Sequence, residues 1–302
     1  MGTNNLLNDY TARDSKLVYD FVTKQASQTP HLIAVQYHAA TLTYGELDEL
    51  STYFASFLIQ ETSIGSIVAF STTKSIDLVV GILGILKAGK TYLPLDPTYP
   101  VNRLQNIIKD AGITHCICVE SESVFFESMG VQPIHIKREK LFTPIELNRT
   151  KAPIYVLHTS GSTGKPKGVV LGNDALVNLL EWQNIHSIAG IGTKTLQLSP
   201  LTFDPSFLEI FATLSTGGTL VLVEDDIRLD PERLLRFIAQ ESIHRIYLPY
   251  VALQYLTDAA EQHNIYPAEL KEVITAGEAL KITQQIIRFF TELPNAILYN
   301  QY

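Results

Sequence analysis

Tyr155-Val-Leu-His-Thr-Ser-Gly-Ser-Thr-Gly-Lys-Pro-Lys-Gly-Val169 passes from a short apolar strand pattern into small hydroxyl and glycine residues that carry two lysines. Glycine lets the backbone enter φ > 0 and come close to a ligand, so that consecutive N–H groups point at one anion. Thr159, Ser160, Ser162 and Thr163 add hydroxyl donors around Gly161 and Gly164, and Lys165 and Lys167 add positive charge. That chemistry suits a polyphosphate. By composition alone the stretch also reads as a solvated Ser/Gly loop.

The P-loop of NTPases, G-x-x-x-x-G-K-S/T before a helix, is a different arrangement. Counting back from Gly164-Lys165, its first glycine position holds Thr159, and its final hydroxyl position holds Pro166. A proline there moves Lys165 away from the α region, so a phosphate-binding helix cannot start where the P-loop needs one. An NTPase or kinase reading is therefore disfavoured.

Working outward, 302 residues suffice for about two domains with a large core. The chain is 46% hydrophobic and 18% charged, as in ordinary globular proteins. Its net charge of −8 argues against a general nucleic-acid or anionic-membrane surface. The most apolar stretch, Ile76–Leu86, is too short to span a bilayer, and residues 1–20 show no secretory pattern. Cys116 and Cys118 fall on one face of a strand pattern, which reads as buried thiols rather than a disulfide or a metal site. The expected compartment is the reducing cytoplasm.

Short β-branched runs alternate with helical patterns. Ile33–Tyr37, Ile67–Phe70, Thr91–Leu95 and His115–Val119 read as strands in the first half, with helices over about 76–88 and 101–111. Tyr155–His158, Thr195–Leu198, Thr219–Val223, Arg245–Leu248, Glu272–Thr275 and Ala296–Tyr299 continue the series. Asp230-Pro231 is an N-cap followed by proline at the first helical position. This rhythm predicts an α/β protein with largely parallel sheets and right-handed crossovers. Residues 120–151 have the weakest periodicity and are expected to hold an irregular excursion. Sheets of this kind bind ligands at the carboxyl ends of their strands. The phosphate-type loop, Asp204, Ala276-Gly277-Glu278 and Asn300-Gln-Tyr302 all follow strands.

At these residues the chain resembles the adenylate-forming enzymes, and within them the amino-acid adenylation domains of nonribosomal peptide synthetases. Five motifs stand in the family's order. Leu42-Thr-Tyr-Gly-Glu-Leu47 is similar to the first, and Leu86-Lys-Ala-Gly-Lys-Thr-Tyr-Leu-Pro-Leu-Asp-Pro-Thr-Tyr-Pro100 with Arg103-Leu104 to the second. The Tyr155–Val169 loop is the third. Phe203-Asp-Pro-Ser206 with Glu209 and Phe211 resembles the fourth, and Asn300-Gln301-Tyr302 the opening of the fifth.

The resemblance implies two mainly parallel sheets flanked by helices, one over about 65–188 and the other from about 20–60 plus 190–302. It implies ATP and Mg2+ as cofactors and activation of a carboxylate as an acyl-adenylate. The acyl group then passes to the phosphopantetheine thiol of a peptidyl carrier domain among other synthetase domains. Thr159, Ser160, Gly161, Ser162, Thr163, Gly164, Lys165 and Lys167 would grip the phosphates, with Lys165 and Thr163 nearest the chemistry and Thr163 near the metal. Gly277, Glu278 and Ala279 would run along the adenine, Asn300 and Gln301 beside it, and Tyr302 would stack on its face.

By the same resemblance Asp204, beside Phe203, would pair with a substrate α-ammonium. The residues alone equally allow it to start a helix before Pro205. Matching side-chain pocket positions are Pro205, Leu208, Tyr247, Ile274, Ala276 and Gln301. None is charged, and an unpaired charge in such a pocket is costly, so a neutral and mostly apolar amino acid is expected. Leu208 and Ile274 also suit plain core. The fifth motif stops at Tyr302, before the family's magnesium glutamate and C-terminal lysine, so this piece is expected to be inactive alone. A free-standing acid-CoA or aryl-acid ligase of the same fold, or a non-catalytic fragment, are the alternatives.

Overall fold

The computed structural model describes residues 16–63, 66–137, 149, 151–159 and 167–301. In its first half the elements are α1 (Val18–Gln28), β1 (Ile33–Tyr37), β2 (Ala40–Thr43), α2 (Tyr44–Glu61), β3 (Ile67–Ser71) and α3 (Leu78–Lys87). There follow β4 (Thr91–Leu95), α4 (Val101–Ala111), β5 (His115–Ile117), α5 (Ser123–Glu127) and β6 (Gln132–Ile134). The second half opens with β7 (Tyr155–Thr159), β8 (Lys167–Leu171), α6 (Asn173–His186), β9 (Lys194–Gln197), α7 (Pro205–Leu214) and β10 (Thr219–Leu222). It closes with α8 (Asp225–Arg228), α9 (Pro231–Gln240), β11 (Arg245–Leu248), α10 (Tyr250–His263), β12 (Glu272–Thr275), α11 (Gln284–Glu292) and β13 (Ile297–Asn300).

The chain divides into two compact units. The first comprises Met1–Pro30, Tyr44–Leu179 and Leu201–Asp204, and the second His31–Thr43, Leu180–Pro200 and Pro205–Tyr302. The first holds a six-stranded sheet in the order β6-β5-β3-β4-β7-β8, parallel throughout except for the β7–β8 pair. The second holds a seven-stranded sheet, β13-β12-β11-β9-β10-β1-β2, in which only β1–β2 is antiparallel. The early strands β1 and β2 thus join the late ones, whereas α1 and α2 group with the six-stranded sheet.

In the first unit every residue of α3 is buried, including Lys87. Its ammonium donates to Asp48 Oδ1 and Ser51 Oγ at 2.8 Å and to Thr52 Oγ1 at 3.0 Å, which makes a buried cation tolerable. Burial still lowers the Lys87 pKa against the opposing pull of Asp48. α4 ends at Gly112, which caps it in the left-handed conformation open to glycine. Cys116 and Cys118 are free and buried in the core with Ala69, Leu93 and Phe126. In the second unit Leu196, Val221, Ile246, Leu248 and Val273 pack with Leu235, Leu253 and Phe289 of the flanking helices. Asp230 caps α9 by accepting from Arg233 N at 3.1 Å.

Among the described residues three strands escape the sequence reading: β2, β6 and β8. Each is the last strand at an edge of its sheet. The Gln132-Pro-Ile134 strand carries a proline, which an edge tolerates and a central strand does not. The excursion expected over 120–151 is regular at α5 and β6, while residues 138–148 and 150 lie outside the described residues.

Candidate functional site

β4 and β7 are parallel neighbours, with Tyr92 opposite Tyr155, so their carboxyl ends lie at the same end of the six-stranded sheet. Thr159, the last residue of β7, pairs with Lys167, the first of β8, and both are exposed. The described residues on either side of the loop thus form an antiparallel strand pair, whereas a P-loop is followed by a helix. Ser160, Gly161, Ser162, Thr163, Gly164 and Lys165 lie outside the described residues. Directly beneath, the His158 side chain is only 5% exposed, with Asp110 Oδ2 at 3.9 Å. Burial draws its imidazole below the ordinary histidine value, against the pull of Asp110, which favours the neutral form.

The segment Leu201–Asp204 belongs to the same unit. Tyr99 Oη donates to Thr202 Oγ1 at 3.3 Å, and the Arg103 guanidinium lies 4.1 Å from the Tyr99 ring centroid. The Tyr155 phenol is pushed up to about 12, first by burial and then by the negative charge of Asp204. The second and third motifs and Asp204 are therefore neighbours within this unit. Phe203 is 58% exposed and Asp204 is exposed beside it.

In the second unit the fourth motif continues into α7, which opens at Pro205. Wholly buried Glu209 accepts from Gln197 Nε2 (2.9 Å), Leu198 N (3.2 Å), Ser199 N (2.9 Å) and Ser199 Oγ (2.9 Å). This carboxylate ties the first turns of α7 to the carboxyl end of β9. Pro205 and Leu208 are half-buried, and Leu208 is not plain core.

Tyr247 and Ile274 are register partners on β11 and β12. Their neighbours Ile246, Leu248 and Val273 enter the core, so Tyr247 and Ile274 take the opposite face by strand alternation. Both are buried, at 3% and 1% exposure. After β12 the half-buried Ala276 leads into Gly277, whose φ of +81° requires glycine on conformational grounds alone, because a Cβ there would meet nothing. Glu278 and Ala279 are exposed, and Glu278 Oε2 accepts from Val251 N at 3.2 Å, in the first turn of α10. Asn300 ends β13 opposite Thr275, and the backbone of Gln301 donates to Thr275 O at 2.8 Å. Residues 276–279 and 300–301, where the resemblance expects adenine, thus follow neighbouring parallel strands at the carboxyl edge of the sheet. Tyr302 lies outside the described residues.

A group that sequence reasoning passed over lies on the face of Tyr247. Buried Arg245 pairs through Nε with Glu272 Oε2, and its Nη2 donates to Tyr247 Oη and to Gln183 Oε1, the latter at 3.3 Å. Gln183 Nε2 in turn donates to Gln301 Oε1 at 3.3 Å. The available signal was a charged residue heading each of two otherwise apolar strands, at Arg245 and Glu272. A cavity of about 250 Å³ in the first unit, lined by Tyr53, Phe57, His115, Ile134 and Lys137 among others, contains none of the expected site residues. No cluster of three metal-type ligands occurs among the described residues, and none of their helices is long and apolar enough to cross a membrane.

The family described as AMP-binding enzyme matches residues 22–302. Gramicidin S synthase 2 from Brevibacillus brevis is 32% identical over 295 residues, covering 97% of this chain and 7% of that protein. Tyrocidine synthase 2 from Brevibacillus parabrevis is 32% identical over 291 residues, covering 94% of this chain and 8% of that protein. Zwittermicin A synthase ZmaJ from Bacillus cereus is 35% identical over 281 residues, or 88% of this chain and 52% of that protein. The chain therefore spans under a tenth of the two longer synthases and about half of the third. Among solved structures, the nonribosomal peptide synthetase FmoA3 aligns with a TM-score of 0.85 at 23% identity, over 97% of this chain and 32% of that one. Its α-methyl-L-serine-AMP bound form aligns with a TM-score of 0.82. At that identity the likeness establishes the shared fold.

Proposed function

Because this chain belongs to the AMP-binding enzyme family, we propose that it is the larger part of an amino-acid adenylation domain of a nonribosomal peptide synthetase. The reaction is activation of an α-amino acid, with a neutral and mostly apolar side chain, as aminoacyl-AMP. A substrate carboxylate oxygen bonds to the α-phosphorus of ATP, the bond to the bridging oxygen breaks, and pyrophosphate leaves. The aminoacyl group then passes to a carrier-domain thiol in the cytoplasm.

The observation that carries this reading is the exposed Thr159–Lys167 strand pair at the end of β7, in the same unit as an exposed Asp204 beside Tyr155. The described rim fits a polyphosphate: Thr159 offers a hydroxyl, Lys167 a cation, and the strand pair fixes both ends of the intervening loop. Bound Mg2+ would neutralise phosphate charge, and such ions are held largely by phosphate oxygens and water with one or two protein ligands. Thr163 would be one of them. Lys165 and Lys167 stabilise the charge that builds on the departing phosphates. Gly277, Glu278, Ala279, Asn300, Gln301 and Tyr302 receive the adenine, with the Glu278 side chain anchored to α10 and the 277–279 backbone left to meet the base. Asp204 takes the α-ammonium, and Pro205, Leu208, Tyr247, Ile274, Ala276 and Gln301 contact the side chain.

The test is amino-acid-dependent exchange of labelled pyrophosphate into ATP by a polypeptide carrying the complete domain. Exchange with one or a few amino acids is expected. Silence across the whole panel, with exchange instead on an aryl or fatty acid, would move the protein to the acid-CoA ligase alternative that Asp204 disfavours.

A further inference from the structure

The Arg245 cluster has a direction built into it. A guanidinium only donates hydrogen bonds. Gln183 must therefore turn its oxygen toward Arg245 Nη2, which leaves its amide nitrogen to donate to Gln301 Oε1. With its oxygen engaged, Gln301 is left with its NH2 group uncommitted. Tyr247 Oη likewise accepts from Arg245 Nη2, so its own proton must go elsewhere. Neither Tyr247 Oη nor Gln301 Nε2 donates to any of the described residues. Arg245 Nη1, wholly buried, also has no partner among them. Three donors are thus left over by one network, on the face of β11–β13 that carries the expected side-chain positions. Buried donors without acceptors are unfavourable enough that folded proteins rarely keep them unless a ligand or water completes them.

The charge balance limits what that ligand is. Glu272, itself held by Ser187 Oγ at 2.6 Å, already neutralises Arg245. A carboxylate side chain would enter without a counter-ion of its own, whereas an ammonium would meet only donors. Resting on the adenylation reading above, we propose that Arg245 sets the hydrogen-bond polarity of the pocket. Tyr247 and Gln301 then both present donors, and the domain selects an uncharged amino acid whose side chain ends in an acceptor oxygen. Arg245 is a positioning residue in this scheme, acting through the two groups that meet the substrate. Ile274 supplies an apolar wall to that side chain, which is not a plain hydrocarbon.

The experiment compares near-isosteric substrates in the pyrophosphate exchange assay with the complete domain: threonine against valine, asparagine against leucine, glutamine against methionine. The acceptor-bearing member of at least one pair is expected to lead in kcat/KM by tenfold or more, on the order seen when a built donor site loses its acceptor. Tyr247→Phe keeps the ring and is expected to remove most of that lead through KM for the amino acid, with KM for ATP unmoved. Arg245→Lys should erode the same preference, and Gln301→Met supplies a surface-side variant should the arginine change impair folding. Preference for the hydrocarbon partners overturns this inference alone. Retention of the full preference by both Tyr247→Phe and Gln301→Met also overturns it and makes the cluster structural. Absence of exchange with every amino acid overturns the adenylation reading and this inference with it.

Discussion

Glu209 engages every donor that Ser199 has: the backbone N–H at 2.9 Å from Oε1 and 3.1 Å from Oε2, and the hydroxyl at 2.9 Å from Oε1. Ten residues separate them in sequence, and the contact fixes where α7 begins relative to the end of β9. Glu209→Ala would strand these donors and those of Leu198 and Gln197 in a buried place. A loss of about 3 kcal/mol is expected, read as a lower urea midpoint with an unchanged m-value. A loss below about 0.5 kcal/mol, the range of ordinary surface changes, would show that water replaces the carboxylate freely.

Asp204→Ala separates the two readings of that residue. As an ammonium partner its loss should raise the amino-acid KM at least tenfold while the ATP KM holds. As a mere helix start before Pro205 it should cost about 1 kcal/mol of stability and leave the amino-acid KM alone.

Lys167→Ala should leave folding within about 0.5 kcal/mol, because the side chain is exposed and β8 is held by its backbone. Exchange activity should nonetheless fall by an order of magnitude or more, about 1.4 kcal/mol of transition-state stabilisation. Equal activity would remove Lys167 from the phosphate site.

His158 predicts a pH dependence. Burial lowers its folded pKa below the ordinary value of 6.5, so below that pH the unfolded chain binds a proton that the folded chain resists. Its contribution is complete above the unfolded pKa and is lost as pH falls through the folded one. His158→Gln should flatten the acid limb of stability between about pH 7 and 5 relative to the parent, measured by urea titration at several pH values. Parallel limbs would contradict the assignment.

The buried thiols give a kinetic check. Burial pushes the Cys118 thiol up to about 12 and holds Cys116 well above its ordinary value. Only about one thiol in ten thousand is then ionised at pH 8, and the thiolate is the reactive form. Labelling by a disulfide reagent should be slow in buffer and should appear in step with unfolding in urea. Prompt labelling of the folded protein would contradict the buried core strand.

The βα rhythm was legible because each central strand is a short apolar run between helical patterns, and buried parallel strands must look that way. The observed strand ends differ from the expected ones by a residue or two, as at Lys194 in place of Thr195 and Asn300 in place of Tyr299. Three of the four edge strands, β2, β6 and β8, were hidden for a related reason. An edge strand needs one partner and little burial, so Lys167-Gly-Val-Val-Leu171, exposed along most of its length, carries no periodicity to read. Its motif drew attention to ligand chemistry while its backbone was completing a sheet.

By itself the sequence determined the α/β class and the mainly parallel character of the sheets, and it named Thr159–Lys167, 276–279 and 300–301 as candidate ligand donors. These are properties of short segments, set by local periodicity, glycine freedom and side-chain chemistry. Only the tertiary structure decided the register that places Glu272 opposite Arg245 and Ile274 opposite Tyr247, and the α6 position that brings Gln183 onto the same group. Those contacts join residues 27 to 118 positions apart. No local pattern encodes which end of an amide faces an arginine across such a distance, because that orientation follows from the packed hydrogen-bond network as a whole.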